Sequence, residues 1–325
     1  MRPSLSLAFV FSDPRRLPSS VSIERPPRGE KLIHSCPVTR ANLYRKDRAI
    51  LVVVLSLGFS SLLAARGASD WQALAPGMDL KYVAAKKPSF VADSRIVVLR
   101  MDPNQWRLEA VGISQTGESA GHTARAWSQR SNFSAAINAG MFAADYKTHL
   151  GYMGSSTHLN NSRPNDYQSV AGFEPRDSQS LPRFRIFDLD APGIRFQDIL
   201  RDYSSVVQNL RLVKHSGLNR WSQQDRRWSE AALGEDDAGR ILFIFSRSPF
   251  SMHDLNNELL AADIGLVAAQ HLEGGPEAQL YLHAGTVELE MCGSYETAFR
   301  ESDTNSAAWS VPNILGVRPR PSSAH

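Results

Sequence analysis

Acid–base and anion-binding chemistry need carboxylates, a cation and buried amides in reach of one another, and several stretches of this chain offer them. Glu273 heads the pair Gly274-Gly275 in "LEGGPEAQLYL", where small residues let a ligand approach the backbone. Glu174 in "VAGFEP" and Asp254 in "SMHDL" are further carboxylates, and a positioned carboxyl pair supplies acid and base. Arg247 closes the apolar run "ILFIFSR" just before a helix start, an end that favours anions. It reads as the ligand of an anionic group, with His253 beside it. Asn138 and Gly140 interrupt "INAGMF", and Gln208 and Asn209 sit inside "SSVVQNLRLV". Asn and Gly break strands where the chain turns or another group approaches the backbone, and unpartnered amides in an apolar strand are costly, so these four positions read as lining a site. Strand alternation sends only one of Gln208 and Asn209 to a given face.

Structural readings stand beside these. Glu273 could accept backbone bonds in a tight turn, Arg247 could pair with Asp254, and His253 could belong to the helix start. Asn138 could use its amide to hold the turn. His149 and His158 lie in "YKTHLGYMGSSTHLNN" without metal-ligand spacing, and no metal or other cofactor is expected.

The elements that must carry these residues are mostly strands. "SRIVVLRMD" and "WRLEAVGIS" flank the turn signal Pro103-Asn104 and predict a hairpin. "SAAINAGMF", "RFRIFDL", "SSVVQNLRLV", "GRILFIFSRS", "VAAQHL" and "AQLYLHAG" are further strand candidates. One helix is predicted to start at Ser251, with Asp254 in its first turn and Leu255, Leu259 and Leu266 at roughly helical spacing. The expectation is an α+β fold, a strand-rich mixed sheet with few helices, forming a single domain over residues 69–318. If polar breaks in apolar strands mark a ligand pocket, the Asn138 turn and the Glu273 loop should meet in space.

Residues 49–65, "AILVVVLSLGFSSLLAA", are uncharged, follow Arg45, Lys46 and Arg48, and precede the small-residue run "ARGAS". Residues 45–68 therefore predict a signal peptide cut near Ala68, or a retained membrane anchor. Residues 1–44 read as a disordered leader or as an extension upstream of a true start near Val38 or Leu43; residues 319–325 read as a flexible tail. The protein is thus expected to be exported, periplasmic or secreted, with inner-membrane anchoring by residues 49–65 as the alternative.

The formal charge of +3 is carried by the leader: of 36 basic and 33 acidic residues, 11 and 4 fall in residues 1–68, leaving 25 against 29. A mildly acidic remainder excludes the basic face of a nucleic-acid binder. Cys36 lies in the leader, so Cys292 has no intramolecular disulfide partner after cleavage.

Taken in order, "INAGMF", "VVQNLRLVKHSG", "RILFIFSRSPFSMHDL", "LEGGPEAQLYL" and "VPNILGVRP" resemble the phosphodiester glycosidase family related to the lysosomal uncovering enzyme. The resemblance covers about residues 94–318. It departs from the family's Asp-Gly-Gly-Gly-Ser-Ser loop, with Glu273 for Asp, Pro276 for the third Gly, and Glu277 and Ala278 for the serines. What the resemblance implies is hydrolysis at a sugar's anomeric centre with a phosphate-linked leaving group, so the expected partner is a sugar phosphodiester or a cell-envelope glycan. Such cleavage commonly uses two carboxylates. On this reading Glu273, Glu174 and Asp254 are the catalytic candidates, with Glu273 ionised, and Arg247 holds the phosphate. Asn138, Gly140, Gln208, Asn209, His253, Gly274 and Gly275 complete the substrate site. The alternatives are a carbohydrate-binding module with Trp221 and Trp228 as its platform, and an inactive envelope protein. A metal-dependent phosphodiesterase would require clustered His and Asp ligands, which the sequence does not have.

Overall fold

A computed structural model describes residues 70–321; the leader and the end of the tail, with the signal expected at residues 45–68, lie outside them. Long apolar runs such as "RIVVLRM" form strands buried on both faces. In Arg95–Met101, Val97, Leu99 and Met101 point into one core while Ile96 and Val98 point into another, as the period of two requires. Strands of this kind build an eleven-stranded sheet and a five-stranded sheet. The α+β, strand-rich expectation holds, with one correction: every pairing between named strands is antiparallel, so the sheets are not mixed.

The larger sheet runs through Met78–Ala84, Arg95–Met101, Ile241–Phe250, Trp228–Asp236, Leu266–Gly274 and Tyr203–Val213. The smaller one has Gln279–Ala284, Ala135–Asn138 and Asn313–Pro319 at its centre and Trp106–Gly112 at an edge. Leu99, Phe243, Phe245 and Leu233 of the first meet Ile137, Leu280, Leu282 and Val317 of the second in the main core. Removing one such ring, as in Phe243→Ala, costs about 3–5 kcal/mol.

Helices cover both outer faces. Ala124–Ser131 packs Trp127 on Ala136, Tyr281 and Ile314 of the smaller sheet. Met252–Ala261 packs Leu255 and Leu259 on Ile96, Ile244 and Ala269 of the larger one. The predicted cap is present, since Ser251 Oγ accepts from the Asp254 N–H at 3.1 Å. Leu266, expected on this helix, instead opens the strand Leu266–Gly274.

The predicted hairpin is also corrected. The turn at Pro103-Asn104 exists, yet Arg95–Met101 pairs with Met78–Ala84 and Ile241–Phe250, while Trp106–Gly112 pairs with Asn313–Pro319 in the other sheet. Both strands have an apolar face that fits the space between the sheets, so the chain crosses the core there instead of folding back on itself.

Candidate active site

The site is built on the end of Leu266–Gly274. Ala231 and Ala232 of the neighbouring strand pair with Glu273 and His271, leaving Leu272 as the extra residue of a bulge. Bulges re-aim side chains beside active sites: Leu272 stays in the main core, while His271 and Glu273 line a cleft of about 400 Å³. Trp228, Glu277, Glu296, Met141 and Phe142 line it too.

Behind the cleft, His271 Nδ1 lies 2.6 Å from Glu230 Oε1, and the Trp228 indole N–H donates to Glu230 Oε2 at 2.6 Å. Burial works against a charged imidazole at His271, but the Glu230 carboxylate prevails and raises its pKa, with Glu273 and Glu296 assisting. Glu273 moves the same way for a different reason. Loss of water lifts its carboxyl to about 8, opposed by His271 and by the Gly274 N–H, and reinforced by Glu277 and Glu230. Glu273 is therefore a protonated acid at neutral pH, not the carboxylate expected from sequence. Glu277 and Glu296 are also raised, mainly by burial.

The Gly-rich loop is shaped for this crowding. Gly275 has φ +65, and a Cβ there would stand 2.7 Å from Glu296 Oε2. Only glycine combines that backbone with that neighbour. Pro276 sits in the single turn Gly275–Glu277 and Ala278 enters the core, so of the family loop's two serine positions only Glu277 faces the cleft.

The Asn138 turn and the Glu273 loop meet, but Asn138 acts as a clamp. Its Nδ2 donates to Glu277 O at 2.9 Å and its Oδ1 accepts from Gln279 N at 2.7 Å. Gly140 has φ +147, and a Cβ there would collide with Asn209 Oδ1 and His149 Cε1. Asn209 in turn donates to Ala139 O at 3.0 Å. Gln208 is saturated, donating to Asn165 O and Tyr167 O and accepting from Tyr152 N and Asn165 N. These residues hold the chain that borders the cleft, and none of Asn138, Gly140, Gln208 or Asn209 lines it. His149, whose Nε2 meets Gln208 O at 2.9 Å, is lowered to about 4 by burial and stays neutral.

Four expected site residues lie elsewhere. Arg247 uses its guanidinium on Asp303 Oδ1 (2.7 Å), Cys292 O (2.8 Å) and Asn305 O (2.7 Å). Those bonds pin the segment around Glu296, which Ser229 Oγ also holds by accepting from Ser294 N and Tyr295 N. Arg247 thus braces one wall instead of facing a phosphate. Glu174 pairs with Arg320 and stands 3.5 Å from Arg107. Asp254 pairs with Lys87 at 3.1 Å. His253 is held by Trp221 O (2.7 Å) and Asn257 (3.0 Å). Glu230, His271 and Glu296 were not selected from sequence, although Glu230 and His271 carry the signal used for Gln208, a polar residue inside an apolar strand. Trp221 points its N–H at Arg211 O, so the two tryptophans form no common platform. Among the described residues no group of three or more His, Cys, Asp and Glu side chains is arranged to hold a metal ion.

The profile of the phosphodiester glycosidase family matches residues 131–318, which contain every cleft residue named above. The chain belongs to that family. The fold agrees: it is similar to the zebrafish N-acetylglucosamine-1-phosphodiester alpha-N-acetylglucosaminidase catalytic domain, auto-inhibited by its pro-peptide, with a TM-score of 0.55 at 13% identity. That match covers 77% of this chain and 86% of the zebrafish one. A hypothetical protein from Synechocystis is similar at a TM-score of 0.51 and 13% identity, over 75% of this chain and 62% of the other. No curated protein sequence matches. At such identities the likeness is one of fold.

Proposed function

We propose that this family member is an exported hydrolase that cleaves the bond between a sugar's anomeric carbon and a phosphate-linked leaving group. The observation that carries the reading is the Glu273 carboxyl, raised to about 8 at the head of a Gly-Gly loop in a cleft. A carboxyl that keeps its proton at neutral pH can deliver it to a departing oxygen. Glu277 and Glu296, in the same cleft, offer the second carboxylate, which takes a proton from water as that water bonds to the anomeric carbon. The C–O bond to the leaving group breaks, and its oxygen receives the Glu273 proton.

Among the described residues no Arg or Lys lines the cleft. The anionic leaving group is met instead by the His271 ring, whose charged form Glu230 favours, and by the O–H of the Glu273 carboxyl. Export rests on the basic, apolar and small-residue order of residues 45–68. The test is incubation of the protein with a panel of sugar-1-phosphodiesters and aryl glycosides, with free sugar and phosphomonoester both quantified. Release of free sugar from no compound in the panel rejects hydrolysis. Calorimetric binding without turnover would favour the binding-protein reading, for which Trp228 in the cleft wall is the motive.

A further inference from the structure

A second concavity, of about 570 Å³, lies along the edge strand Phe184–Asp188 and shares no lining residue with the Glu273 cleft. Its volume falls in the range of small-molecule sites. Most of its charges are cancelled locally. Arg195 and Arg201 share Asp198 at 2.6 and 2.7 Å, Arg201 also holds Asp202, and Asp188 is bonded by Arg211 and by the His215 N–H. Arg185 is the exception: it is exposed, and among the described residues it makes no hydrogen bond or ion pair. Its charge acts on Tyr203 and on His215, both of which line the concavity, and on the buried Glu235 carboxyl, to which it makes no ion pair. The His215 ring nitrogens also have no partner among the described residues. Between these polar groups lie Phe187 and Ile194, partly exposed, and the buried Ile186 and Ile199.

A free guanidinium with its fork of donors, an unpaired imidazole and an apolar floor make a site for one kind of molecule. We propose that this concavity binds an amphipathic organic anion, a phosphate or carboxylate head on Arg185 and His215 with its apolar body on Phe187 and Ile194. A bare ion would use only the head contacts and leave most of the space unfilled. A neutral amphiphile would leave Arg185 as it is.

Titration calorimetry on the whole protein tests this with octyl phosphate and octanoate as probes, against inorganic phosphate and octyl glucoside, all below micelle-forming concentration. At least one of the two octyl anions should bind stoichiometrically, with inorganic phosphate and octyl glucoside each weaker by about tenfold or more, the size of one lost charged or apolar contact. Arg185→Ala changes an exposed side chain, so it should leave the melting temperature unchanged and weaken the octyl anion by about tenfold. Ile194→Asp should weaken it similarly through the apolar end, while Glu273→Gln should leave it unaltered. Any of three results would overturn the proposal: neither octyl anion binds, inorganic phosphate or octyl glucoside binds as tightly as they do, or Arg185→Ala binds the octyl anion within twofold of the parent.

Discussion

Two adjoining regions of this protein place polar side chains in apolar strands and use them in opposite ways. In Tyr203–Val213, Gln208 is wholly buried and makes four hydrogen bonds to backbone groups. In the adjacent strand Leu266–Gly274, His271 and Glu273 have one defined partner each, Glu230 and the Gly274 N–H, and their remaining sides face a cleft. Amides have donors and acceptors in the geometry of the backbone and are easily saturated by it. A carboxyl beside other carboxyls is not, and it answers burial by keeping its proton. Polarity within a strand thus marks either a clamp or a reacting group, and unfulfilled bonding capacity separates the two.

The contrast can be broken most forcefully at the clamp. Gln208→Ala leaves four backbone groups without partners and should destabilise the fold by about 4 kcal/mol, at roughly 1 kcal/mol each. The melting temperature should fall by about 8–16 °C, while the activity per folded molecule stays close to that of the parent. A melting temperature within about 2 °C of the parent would show that the amide is not structural.

Glu273→Gln reverses the pattern. It should fold normally and lose turnover by about a hundredfold or more, as removal of a positioned acid does. Steady-state kinetics on a sugar phosphodiester and an aryl glycoside measures it, and turnover within a few-fold of the parent would remove Glu273 from the chemistry. In the parent, turnover should decline as pH rises through about 8, where Glu273 gives up its proton.

Arg247→Ala should behave as a clamp variant. Its guanidinium bonds Asp303, Cys292 O and Asn305 O, so about 2 kcal/mol of stability should be lost, with equal consequences for phosphodiester and aryl substrates. A selective loss on phosphodiesters would return Arg247 to the phosphate site.

The smallest effect is a pH dependence of stability. Between the ordinary carboxyl range and about 8, Glu273 holds a proton in the folded state that the unfolded chain has released. Stability contributed by that group therefore falls as pH rises across this window. Glu273→Gln lacks the titration, so the difference in melting temperature between it and the parent should shift in the variant's favour as pH rises from 5 to 8. Parallel curves at both pH values would contradict the raised carboxyl.

Much of this was legible in the sequence. Apolar runs located the strands Ile241–Phe250, Tyr203–Val213 and Gln279–Ala284, and Ser251 with Asp254 located the start of a helix. These features are local: period, cap and turn chemistry act within a few residues. The Gly274-Gly275 pair marked Glu273 for the same reason, since glycine next to a carboxylate shows as plainly in one dimension as in three. Partnership was not legible. Whether Arg247 meets a phosphate or Asp303, whether Asn138 faces a sugar or the Glu277 carbonyl, and whether Arg95–Met101 pairs with Trp106–Gly112 or with Ile241–Phe250 depend on residues far along the chain. The protonation of Glu273 belongs to the same class, because it comes from the exclusion of water and from the proximity of His271, Glu277 and Glu230. Residue types by themselves determined which groups were available for chemistry; the tertiary structure alone decided which retained free bonding capacity, because hydrogen bonds and desolvation are set by neighbours in space.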